Sequence, residues 1–147
     1  MTEDKSRDIL NDVLATLIDS ADGYEKAAEI AERPTVENFF SRRATSRRQM
    51  ASAVREEISK LGGRSEKDGT LLASAHRVFM GLSAALQDND EAAIKAVDQG
   101  EDHLLQKFES ALASDELNGS AKTLLRNYQG EVRADGRLID HLEEATA

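Results

Sequence analysis

Apolar residues return along this chain every three or four positions, the period of an amphipathic helix, and no window alternates with the period of two that a half-buried strand requires. Five helices are predicted. The first runs from about Lys5 to Glu32 on a stripe of Leu10, Leu14, Leu17, Ala21, Tyr24 and Ala28, and Pro34 ends it because proline disfavours helix in the residue before it. Thr35 is the expected cap of the second, about Val36 to Leu61, whose stripe holds Phe40, Met50, Val54 and Ile58 and stops at Gly62-Gly63. A shorter helix, about Thr70 to Gln87, follows the polar linker GGRSEKDG. The fourth spans about Asp90 to Ser114, with Asp88 and Glu91 at capping-box spacing at its start. The last begins at Asp115 or Ser120 and reaches about Glu144 on Ala121, Leu125, Tyr128, Val132, Ile139 and Leu142.

At a rise of about 1.5 Å per residue the four long helices measure roughly 35–40 Å each, and the third about 27 Å. The third is therefore long enough to carry the chain back between the second and the fourth. The expected architecture is an all-α four-helix bundle with this shorter crossover helix between the second and third long helices, in a single domain over residues 1–147. An up-and-down array of five helices is the competing layout.

Charges interrupt the apolar stripes. Glu101 falls near the middle of the stripe formed by Ile94, Val97, Leu104 and Phe108, and Asp135 lies between Val132 and Ile139. Glu25 stands at the edge of the first stripe, while Arg43 and Arg47 break the run between Phe40 and Met50. A buried charge is costly unless it is paired, protonated or metal-bound. Two kinds of centre answer that requirement. One is a buried polar network in which Arg43 and Arg47 meet Glu25, Glu101 and Asp135, since the guanidinium fork donates to two acceptors and does not shed its charge. The other is an iron or manganese site made by Glu25, Glu101 and Asp135. The di-metal pattern of bundles also needs a Glu-x-x-His on each of two helices, and none is present; His76, His103 and His141 sit off the stripes or at an edge. The arginine network is the preferred reading, with no cofactor expected. Tyr24 and Tyr128 face inward, where their hydroxyls can meet the buried carboxylates. Gly23, Gly100, Gly130 and Gly136 lie within helices, and close helix approach is the expected reason.

Composition narrows the function classes. A net charge of -9 disfavours a nucleic-acid partner, and with no cysteine there is no disulfide, thiolate metal site or cysteine nucleophile. The start, MTEDKSRDIL, has no apolar run of signal-peptide length, and no stretch nears 18 apolar residues, so a cytoplasmic protein without membrane contact is expected. No glycine-rich loop follows a strand and no nucleophile elbow is visible. Three roles remain: a non-catalytic bundle acting through a protein partner or self-association, a metal-binding protein, and a bundle whose Arg43 and Arg47 receive a small anion.

The stretches LNDVLATLIDSADGYEKAAE, SRRATSRRQMASAVREEISKLGG and GEDHLLQKFESAL, with the tyrosine-containing last helix, resemble the small bacterial ferritin-like four-helix-bundle proteins that carry a domain of unknown function. The likeness runs from about Ile9 to Leu142 and is sharpest at Asp22-Gly23-Tyr24-Glu25 and Gly100-Glu101-Asp102. It implies a ferritin-like fold, bacterial origin and a stress-associated role. By the same likeness Glu25 and Glu101 take the places of the single glutamates of a di-iron bundle, and Arg47 stands about where a ligand would be. Glu131 is followed by Ala134 where a histidine would complete the second motif.

Overall fold

The computed structural model describes residues 2–62 and 90–146. Four helices make up nearly all of this: α1 (Thr2–Ile30), α2 (Pro34–Lys60), α3 (Asp90–Ala113) and α4 (Gly119–Thr146). The short helix expected over 70–87 lies outside the described residues, as do His76 and Asp88.

Local chemistry sets the helix ends. Arg33 is the N-cap of α2 in an extended conformation (φ -86°, ψ 131°), and Pro34 is its first helical residue. The helix therefore starts ahead of the expected Thr35 cap, because a first-turn residue needs no N–H and proline's fixed φ already suits a helix. At the other end the Gly62 amide donates to Ser59 at 3.0 Å, and Gly62 takes φ 78°, a left-handed turn that stops α2. Asn118, not Asp115 or Ser120, caps α4: its Oδ1 accepts from the Ala121 amide at 2.8 Å, which places the cap three residues ahead of its donor.

α1 packs along α2 and α3, and α3 packs along α4. Two contacts fix the directions of α1, α2 and α3. At one end Asp90, which opens α3, accepts from the Glu32 amide (2.7 Å), and from the Arg33 amide (3.3 Å) and Nε (2.9 Å), clasping the α1–α2 turn. At the opposite end Arg7 donates to the Leu61 carbonyl at 2.6 Å, meeting the partial negative charge at the C-terminus of α2. The end of α2 and the start of α3 are thus at opposite ends of the bundle, so α2 and α3 run parallel. The Asn118 amide donates to Ser6 Oγ at 3.4 Å, so α4 starts at the Arg7 end and runs antiparallel to α3, and the four described helices take the directions of a ferritin-like bundle.

The core has two apolar parts. Leu10, Leu14, Leu17, Met50, Val54, Leu104, Phe108, Leu125 and Val132 fill one; Tyr24, Val36, Phe40, Ile94, Val97 and Ile139 fill the other. The residues that fall between them along α2, α3 and α4 are Arg47, Glu101 and Asp135. The α2–α4 seam is bridged by polar groups: Ser46 donates to Glu131 at 3.0 Å, Ser120 to Glu57 at 2.8 Å, and Arg43 and Arg47 reach Asp135. The glycines of α4 do not serve close approach, since a Cβ at Gly130 or Gly136 would meet nothing within 4 Å. Both stand on the outer part of α4, where no neighbouring helix presses on them.

Candidate functional site

Arg47 is the largest fully buried side chain among the described residues, with no exposed surface. It occupies the position on α2 where the heptad-like run of Phe40, Ala44 and Met50 points inward, so its whole length lies in the core. One guanidinium nitrogen, NH2, donates both to Glu101 Oε2 at 2.9 Å and to Asp135 Oδ2 at 2.8 Å. NH1 donates to Ser46 Oγ at 3.2 Å. The guanidinium carbon also lies over the Tyr24 ring, 5.6 Å from its centre. Arg43, half-buried, donates to the other oxygen of Asp135 and stacks over Phe39 at 5.4 Å. Two arginines and two carboxylates thus close a charge-balanced cluster across α2, α3 and α4, with Tyr24 of α1 as its lid.

The electrostatics follow from that burial. Burial works against the Arg47 charge, but Glu101, Tyr24 and Asp135 outweigh it and hold the guanidinium above its ordinary pKa. Burial pushes the Glu101 carboxyl up, and the adjacent Arg47 offsets this only in part. Tyr24 is pushed well above the usual phenol range, first by burial and then by the Glu101 charge. Tyr24 Oη, Glu101 Oε1 and Arg47 Nε are buried with no well-formed hydrogen bond from the protein, although the phenol acts on the carboxylate.

Glu25 does not belong to this cluster. Its side chain is 52% exposed and pairs with Arg48 Nε at 2.8 Å, and the same arginine donates to Asp22 at 2.8 Å. One residue past the inward-facing Tyr24, Glu25 is turned by about 100° toward the α1–α2 groove. A groove of about 440 Å³ opens there, lined by Glu25, Glu29, Glu37, Thr45 and Arg48 among others. Tyr128 is half-buried against the part of the core that holds Leu10, Leu125 and Val132 rather than at the cluster. His103 is half-buried and His141 exposed. Asp90 and Arg48, neither of which stood out by periodicity, carry further well-formed charge contacts. Asp90 was legible only as a helix start; nothing in the sequence pairs it with the α1–α2 turn.

Iron or manganese does not fit the described donors. Glu25 is turned away from Glu101 and Asp135, so the expected three-carboxylate set does not form. Among the described residues no group of three or more His, Cys, Asp or Glu side chains is placed to hold an ion. A cation between Glu101 and Asp135 would share that space with Arg47, and like charges at about 4 Å repel by several kcal/mol at an effective dielectric near 20. A small anion fares no better, because both arginines already donate to carboxylates.

Among curated proteins, no sequence matches this chain. Solved structures with the same fold include a mutant of Mycobacterium smegmatis Dps1, with a TM-score of 0.84 at 15% identity over 97% of each chain. Mycobacterium smegmatis Dps in a tetragonal form is similar too, with a TM-score of 0.79 at 16% identity over 94% of this chain and 85% of that one. At such identities the likeness concerns the fold. Among the described residues no helix is long and apolar enough to cross a membrane. Residues 5–114, which include Arg47 and Glu101 but not Asp135, match the family model described as a domain of unknown function, DUF2383. The chain belongs to that DUF2383 family and is built as a ferritin-like four-helix bundle.

Proposed function

We propose that this protein is a non-catalytic ferritin-like bundle in which a guanidinium takes the place of a di-metal centre, and that it acts through its surface by self-association or by binding another protein. One observation carries the reading: Arg47, fully buried, donates from a single nitrogen to both core carboxylates. A fixed positive charge where the buried Glu101 and Asp135 converge does the electrostatic work that a cation would do. It also removes the open coordination that iron oxidation requires. A cytoplasmic, stress-associated role in a bacterium accompanies this reading through the family likeness.

The test is aerobic incubation of untagged protein with ferrous iron, followed by desalting and elemental analysis. We expect iron at background and an oxidation rate equal to that of buffer. Stoichiometric iron or manganese that is lost in Glu101→Ala would overturn the reading and make the protein a metal-binding one.

A further inference from the structure

The α3–α4 side of the bundle carries two stripes of opposite charge. On α4, Arg126, Arg133 and Arg137 are exposed and fall within an arc of about 40° at 100° per residue. On α3, Asp102 and Glu109 are exposed and fall within about 20° of each other by the same rule. None of these five side chains forms an ion pair with another described residue. In a chain of net charge -9, three arginines in line on one helix are a local reversal of sign.

Neighbouring contacts show where the stripes point. On α3, Lys107 marks the side toward α1, where it pairs with Asp12 at 3.0 Å; Asp102 and Glu109 lie on the opposite side, toward α4 and solvent. On α4, Ser120 and Glu131 mark the side toward α2; the arginines lie away from it, toward α3 and solvent. Both stripes therefore belong to one outer face.

Their heights match as well. Glu101 and Asp135 are level, since one nitrogen of Arg47 reaches both. Counting from them along the antiparallel helices, Asp102 is level with Arg133 and Glu109 with Arg126, each to within about one residue, or 1.5 Å. A rotation by half a turn about an axis parallel to the helices keeps height and exchanges the two helix positions. It sets α3 of one copy against α4 of another, antiparallel, with every acid opposite an arginine.

We propose that this face is the dimer interface, its occupant a second copy of the chain, joined by Arg126–Glu109 and Arg133–Asp102 pairs formed twice across the two-fold axis. This rests on the self-association proposed above and names its surface. An isologous interface of this kind is self-complementary by construction, because each copy supplies both signs.

The experiment is sedimentation at about 0.1 M salt on the wild-type chain, on R126E/R133E, on D102K/E109K and on an equimolar mixture of the two variants, with helicity checked by circular dichroism. The wild type is expected to dimerise, each variant to be at least about tenfold weaker, and the mixture to recover the wild-type affinity, since at the four paired positions one variant then carries only acids and the other only bases. The second variant is decisive. It moves the net charge toward neutrality, so general repulsion alone predicts a tighter dimer, whereas the pairing predicts a weaker one. A wild type that stays monomeric overturns both this proposal and self-association. A dimer that persists in either variant, or a mixture that fails to recover, overturns this surface and leaves self-association standing. Retention of duplex DNA by the wild type and its loss in R126E/R133E would assign the arginines to phosphate binding and overturn the pairing.

Discussion

Arg47 shows how one side chain decides the character of a core. Its fixed charge is paired through one nitrogen with Glu101 and Asp135, all three side chains almost wholly buried. Removing one partner of such a cluster leaves the others as uncompensated buried charges. Arg47→Met should therefore cost about 3–5 kcal/mol in urea unfolding, and adding Glu101→Leu should recover part of the loss, because an apolar replacement for the partner removes the stranded carboxylate. A double variant as unstable as the single one would mean that Glu101 is answered by a group other than Arg47. The position of Arg47, Glu101 and Asp135 on the inward face was legible from the 3.6-residue period alone. Glu25 was not, since a residue at the edge of a stripe turns inward or outward according to its neighbour, and Arg48 of α2 draws it outward.

At the scale of the helix, propensity and packing separate cleanly on α4. Gly130 and Gly136 lower its intrinsic stability, yet no neighbouring atom would meet a Cβ at either position. Gly130→Ala and Gly136→Ala should each stabilise the protein by about 0.5–1 kcal/mol, read as a rise in the midpoint of thermal unfolding, because alanine is the better helix former and no atom described in the same chain opposes its methyl group. If either substitution destabilises the fold, the outer part of α4 is covered in solution. For the four described helices, existence and length followed from hydrophobic period. Helix starts followed less well: Pro34 and Asn118 won over Thr35 and Ser120 by local backbone geometry and side-chain reach, which a list of good caps does not rank.

For the molecule as a whole, the telling contact is the clasp of Asp90 on the α1–α2 turn, which ties the start of α3 to a segment nearly sixty residues earlier. Burial raises the pKa of Asp90, but the Glu32 amide and the Arg33 amide and guanidinium outweigh it, and the carboxyl is held below its ordinary value. The unfolded chain therefore binds the proton more tightly than the folded one, and the clasp contributes stability that is complete above the ordinary aspartate pKa of about 4 and lost as pH falls through the lower folded value. Asp90→Asn should melt below the wild type at pH 7, and the gap should close on acidification below about pH 4. A gap independent of pH would show that the Asp90 contribution does not depend on its charge.

The sequence by itself determined the class of the fold and the presence of a charged layer. Both follow from one-dimensional periodicity: which residues share a helix face depends only on spacing, and charges set on an apolar face must find partners wherever the helices meet. Only the tertiary structure decided which charges meet. Arg47 donates to both Glu101 and Asp135, Glu25 is turned away, and α3 and α4 come level so that their outer charges form matched rows. Those outcomes depend on the rotation and register of each helix against its neighbours, set by packing over the whole core, and no local stretch of sequence encodes either quantity.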